Sequence, residues 1–264
     1  MKDLATARVE EAGATGATGA PARRRPGSPA LLRHMFALAA KDLRSEARAK
    51  EVVAPMALFA LALVFLFTFH LPPGAARAPV PEPRAGAVGT REIVAAFLWA
   101  SVLFAGILGF GRNASAEREE ARIVGLLLAP VDPGALFAGK ALANLVYLTV
   151  TQAVVLVAAV LFFDVPPGLL PGIALVAMSV NIGLAAAGTL FGAVSQYARG
   201  KELVLPFLLF PVILPLVLAA TRLTSSLLVT GDFSGEARWF LLTGVFDLAL
   251  FTVGAVTFEY VVNE

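Results

Sequence analysis

The chain contains no cysteine and only two histidines, His34 and His70, among its 264 residues. The first absence removes disulfides, thiolate metal sites and a cysteine nucleophile together. The second leaves too few ligands for a conventional zinc site, which takes three or four, so the sequence points to no resident metal. Charge is scarce as well: 15% of residues are Asp, Glu, Lys or Arg, against about 25% in an ordinary soluble domain. The formal net charge is only +2. The basic residues gather in the N-terminal tail and at the ends of apolar blocks, a distribution that orients a membrane protein and does not make a nucleic-acid surface. With no nucleophile, base and orienting group in view, the sequence reads as that of a protein that is not an enzyme.

Apolar residues are what the chain has in excess: 58% of the total, with a mean hydropathy of +0.79. They come in long blocks. A helix rises about 1.5 Å per residue, so a hydrocarbon core of about 30 Å takes about 20 apolar residues. Blocks at 52–69, 93–111, 135–163, 169–194, 203–221 and 239–262 predict an all-α, polytopic membrane protein with six transmembrane helices. The fifth block holds Pro206, Pro211 and Pro215. Each removes a backbone donor, so that span is predicted to be kinked or broken.

The flanks divide the chain further. Residues 1–30, rich in Ala, Gly, Pro and Arg, read as a disordered extension. Residues 31–51 place Leu32, Met35, Phe36, Ala39 and Leu43 three or four apart, with Lys41, Asp42, Arg44, Glu46, Arg48 and Lys50 crowding the end nearest the first span. That is the pattern of an amphipathic helix lying at the membrane interface. Residues 52–264 form the six-span domain. Ten Lys and Arg precede the first span, Arg112, Arg118 and Arg122 follow the second, and Arg199 and Lys201 follow the fourth. Both termini are therefore expected in the cytosol. The Pro- and Ala-rich stretch 71–92, between the first two spans, reads as a linker.

Residues 111–136, GRNASAEREEARIVGLLLAPVDPGAL, are the most informative polar stretch. Asn113 or Ser115 suits a helix N-cap. Glu117, Glu119 and Glu120 would then sit where the helix dipole favours acids. Ile123, Val124 and Leu126 to Leu128 make the second half greasy, and Pro130 and Pro133 end it. A helix at about 113–130 with a charged start and an apolar end suits docking of a partner protein. A solvated loop carrying ordinary positive-inside charges fits the composition equally.

Inside the spans, Asp247 is the one acid at depth, with Gln152 and Asn181 as candidate hydrogen-bond partners from other spans. An intramembrane acid is functional or paired. Gly188 and Gly192 form a GxxxG step that lets helices approach closely, with packing inside the chain favoured over a dimer seam. Gly134 to Ala141 comes near a nucleotide-binding P-loop, but Ala141 stands where Ser or Thr must hold magnesium. His70, at the end of the first span, is a candidate haem-iron ligand, although a lone histidine there is more often an interfacial polar residue.

Three stretches carry a family resemblance. EREEARIVGLLLAP, with Gly139-Lys140 after it, resembles the cytosolic motif of ABC-2-type exporter permeases; Glu117, Arg118, Glu119, Leu127 and Pro130 match, while Ala121 and Val124 replace the usual Gly and second Glu. KDLRSEARAKEVVAPMALF and RGKELVLPFLLFPVILPLVLAAT resemble the B subunit of the cytochrome c maturation haem exporter. The resemblance runs from about Leu32 to the C-terminus. It implies a permease in a bacterial inner membrane that is coupled to a separate ATPase. Glu117, Arg118, Glu119, Glu120, Arg122, Leu127 and Pro130 would lie at the coupling contact. It further implies two copies of this chain, two ATPase subunits carrying ATP and magnesium, and haem-handling maturation proteins around them. Haem, or a haem-loaded chaperone, would be the cargo, with no cofactor resident in this chain. A generic ABC-2 exporter of drugs or polysaccharides shares the motif near Glu117 but not the proline-rich span. A proton-coupled transporter using Asp247 would be expected to show internal repeats, and none is evident.

Overall fold

The computed structural model describes residues 28–77, 89–119, 133–195 and 201–263, and the side chains within them except at 28–30, 116–119, 201–202 and 259–263. Among the described residues there are helices and no strands. In chain order the helices are α1 (Ser28–Ala49), α2 (Val53–Thr68), α3 (Thr90–Glu119), α4 (Pro133–Phe163), α5 (Leu170–Ser195), α6 (Lys201–Thr230) and α7 (Ala237–Asn263). Helices α3 to α7 are each long and apolar enough to cross a bilayer. The α1–α2 pair passes the same test only when taken together, with a 68° bend between the two helices, so the described residues hold five or six candidate spans. The N-terminal extension predicted at 1–30 lies outside the described residues except for the first three positions of α1.

Helix α1 has three faces. Ala39 is 2% exposed and Glu46 9%, and both lie on the side packed against α4. Leu32 and Phe36 form an exposed apolar stripe. Arg33, Lys41, Arg44 and Arg48 are exposed beside it. A helix docked on the bundle by one face, greasy on the second and basic on the third fits the bilayer surface.

The elbow after α1 depends on one carboxylate. Lys50 takes a left-handed conformation (φ 54°), which turns the chain out of α1. Val52, in the N-cap position of α2, supplies no side-chain cap. Glu46 does it from six residues upstream: Oε1 accepts from the Val52 N–H at 3.0 Å and the Val53 N–H at 2.7 Å, and Oε2 from Val52 at 3.2 Å. The first N–H groups of any helix lack partners within it, and here an acid also meets the positive end of the helix dipole.

Helix α5 packs against α3, α4, α6 and α7, and α4 against α1, α2, α3, α5 and α7. The GxxxG step of α5 works inside the chain. A Cβ on Gly188 would run into the Phe110 ring, and one on Gly192 would come to 3.7 Å from Ala114, so the step seats α5 on α3. A second close approach seats α4 on α7, where the fully buried Phe137 fills the space above Gly254 and meets the rings of Phe251 and Phe258. Trp99 on α3 donates its indole N–H to Thr224 of α6 at 2.9 Å, both side chains being buried.

The structure refines three expectations. Of the kink or break expected in the proline-rich span, there is no break: α6 is one helix of 30 residues with Pro206, Pro211 and Pro215 inside it, continuing nine residues past 221. A proline removes a single donor, and the lipid-facing helix leaves the rest of its ladder intact. The helix of the second span does not end at 111. Helix α3 continues through Asn113 and Ser115, so neither is a cap. Finally, the linker 71–92 is partly packed. Ala75 and Ala76 are buried in a short 3-10 turn (Ala75–Arg77) held by Arg77 Nε to Asp164 Oδ2 at 3.2 Å, while Arg91 donates to the Leu228 carbonyl at 2.6 Å. The Arg77–Asp164 pair is about half exposed, and such pairs contribute about 0–1 kcal/mol.

Candidate functional site

Helix α3 has 30 residues, a length of about 45 Å. A bilayer core takes up about 30 Å of that. Roughly the last ten residues therefore stand clear of the hydrocarbon at the end of the bundle that also carries α1. They include Arg112, Asn113 and the backbone of Glu117, Arg118 and Glu119. Glu120, Arg122, Leu127 and Pro130 lie outside the described residues, as do the side chains of the three positions before them.

Where α3 leaves the bundle it is tied on two sides. Arg112 Nη1 donates to the carbonyl of Glu51, in the α1–α2 elbow, at 3.1 Å. Asn113 Nδ2 donates to Asn144 Oδ1 of α4 at 3.0 Å, and Asn144 Nδ2 donates to Thr189 Oγ1 of α5 at 2.8 Å. Thr189 Oγ1 in turn donates to the Ala185 carbonyl one turn back at 2.7 Å. Asn144 is 3% exposed and Thr189 6%. Inside the protein such a chain is stronger than in water, and breaking any member of it costs more. Asn113, Asn144 and Thr189 themselves line a cleft with room for about one water (≈ 20 Å³), together with Phe110, Lys140 and Gly188. Sequence reading missed Asn144 and Thr189. Their signal was a polar side chain inside an apolar span, the kind that bonds across helices.

The intramembrane polar residues are not brought together. Asp247 lies ten residues into α7, about 15 Å from its start and close to mid-bilayer. Its carboxylate occupies the space above Gly183 of α5, next to Leu216 of α6. Asn181 is only two residues from Gly183, but that puts it roughly 200° around α5, facing away from Asp247. Asp247 Oδ1, Asn181 Oδ1, Gln152 Oε1 and Thr151 Oγ1 are all buried without a hydrogen-bond partner, so no bond joins Asp247 to Gln152 or Asn181. His70 is exposed, and its Nδ1 lies 3.1 Å from the Leu66 carbonyl of its own helix. A carbonyl accepts only, so Nδ1 carries the proton. The near-match to a P-loop, Gly134 to Ala141, lies within the first turns of α4 and forms no phosphate-cradling loop.

The family description "CcmB protein" matches residues 33–262. No curated protein and no solved structure matches significantly. The match covers all of α2 to α6 and most of α1 and α7, the helical bundle and the protruding end of α3 included. The chain belongs to the CcmB family: it is a multi-pass membrane permease of the ABC exporter CcmAB of cytochrome c maturation, whose ATPase activity lies in the partner subunit CcmA.

Proposed function

We propose that the segment from Glu117 to Pro130 is the contact through which the ATPase drives this permease, with Glu117, Arg118, Glu119, Glu120 and Arg122 supplying its charged half and Leu127 and Pro130 its apolar end. The observation that supports this reading is the unbroken run of α3 from Thr90 to Glu119. The acidic residues begin on a helical extension of a span, where a push from a bound partner would be passed along the helix to the bundle. In the same reading both termini face the cytosol of a bacterium and the bilayer is its inner membrane. Two copies of the chain bind two ATPase subunits, and haem-handling maturation proteins join them. The output is haem export or the release of a haem-loaded chaperone.

Purification through a C-terminal tag, followed by mass spectrometry, tests the assembly. CcmA and haem-handling maturation proteins are expected with the wild-type chain. Reversing charge at Glu119→Lys and Glu120→Lys is expected to lower ATPase retention by about tenfold or more, as loss of opposed charges at an interface does. Unchanged retention would move the contact elsewhere on the chain.

A further inference from the structure

We propose that Asn144 is a positioning residue for transport: it is the centre of a three-helix clasp that passes movement of the ATPase-bound end of α3 into α4 and α5. The proposal rests on the reading that the segment from Glu117 onward docks the ATPase.

The geometry for transmission is local and complete. Asn113 precedes Glu117 by four residues, one helical turn and about 6 Å along α3. A force on the docking segment therefore has one helical turn of α3 to travel before it reaches Asn113. From there it has a polar route, Asn113 to Asn144 to Thr189 at 3.0 and 2.8 Å, ending on the Ala185 backbone of α5 at 2.7 Å. Each donor points the same way along this series, from α3 through α4 to α5, the arrangement in which hydrogen bonds reinforce one another. Apolar contacts alone would let α3 slide on its neighbours, because a methyl in lipid is as well placed against one side chain as another. An amide bonded on both sides cannot slide without leaving a buried polar group unpaired.

Two further contacts make the end of α3 move as part of a unit. The Phe110 ring, one turn before Asn113, is seated over Gly188, immediately before Thr189. Arg112 holds the Glu51 carbonyl, so the same turn of α3 also grips the elbow through which α1 joins α2. Helix α5, at the receiving end, packs against four of the other helices. Displacing it therefore shifts α3, α4, α6 and α7 together.

The test compares assembly with output in the purified complex and in cells. Assembly is the amount of ATPase retained and its hydrolysis rate; output is the covalent haem in c-type cytochromes per copy of complex. Asn144→Leu, close in shape, removes both central bonds. Thr189→Val removes the hydroxyl at nearly constant volume, and Thr189→Ser restores it. Asn144→Leu and Thr189→Val are expected to keep ATPase retention within about twofold of wild type while output falls about tenfold, and Thr189→Ser to keep most of the output. Wild-type output from Asn144→Leu would overturn the proposal. So would Thr189→Ser and Thr189→Val failing alike with loss of the assembled complex, because that result assigns the clasp to packing alone. If Asn144→Leu does not accumulate, the Thr189 pair decides. Failure of the docking reading is distinct: it appears as unchanged ATPase retention when Glu119→Lys and Glu120→Lys reverse the charge of the docking segment.

Discussion

Glu46→Ala is expected to be among the most destabilising single substitutions outside the apolar core, at about 2 kcal/mol or more. The side chain is 9% exposed and accepts from two consecutive N–H groups at the start of α2. Val52 is 5% exposed, so its N–H finds no water when the carboxylate goes. Loss of a cap costs about 1 kcal/mol, and a buried donor left bare costs about 1–3 kcal/mol more. Glu46→Gln keeps an acceptor of the same reach but loses the charge that faces the helix dipole, and about half of the loss is expected. The measurement is the fraction of chain that stays monodisperse in mild detergent after heating. An Ala variant as stable as wild type would show that the 68° elbow holds without its cap.

The second large effect is expected at Gly183. A methyl there would overlap the Asp247 carboxylate and come to 2.9 Å from Leu216 Cδ1. Overpacking a tight helix contact costs about 1–3 kcal/mol, and this one is part of the seam between α5 and α7. Leu216 is fully buried, and the Asp247 carboxylate makes the closer of the two overlaps. Gly183→Ala is therefore expected to weaken the bundle. Asp247→Ala in the same chain is expected to restore more than half of the loss, because it empties the space the methyl needs. Asp247→Asn, which keeps the volume, is expected to restore none. Coupling between residues in contact reaches about 0.5–3 kcal/mol, well within the resolution of a thermal inactivation series. A double variant no better than Gly183→Ala would mean that the carboxylate is not what fills the notch.

How far the sequence foretold this structure follows from what each residue's signal depends on. Spans are written in composition, because each must be apolar for about 20 residues whatever its neighbours do. The bundle and the packing use of Gly188 and Gly192 were legible for that reason. Ends of helices were less legible. Asn113 and Ser115 have the side chains of caps, yet α3 runs straight through both, because Asn113 finds a better partner in Asn144 than in its own backbone. At α6 the prolines fixed no helix end: three donors are lost without a break. Contacts between distant residues were not legible at all. Nothing local says that Glu46 caps a helix beginning seven residues later, or that Thr189 completes a series begun 76 positions before it at Asn113. Asp247 was found by its depth alone; its neighbour, Gly183, carries no side chain to announce the contact.

The absence of cysteine from the natural chain makes the central claim directly testable, because any thiol introduced is the only one present. Glu119→Cys places it at the last described residue of α3, and Ser234→Cys places one in the turn between α6 and α7 at the opposite end of the bundle. A photoactivated, thiol-linked probe on Glu119→Cys is expected to give a covalent adduct with the ATPase subunit, and the same probe on Ser234→Cys to give none. An ATPase adduct from Ser234→Cys, with none from Glu119→Cys, would contradict both the orientation of the bundle and the assignment of the α3 extension as the part of the permease that the ATPase moves.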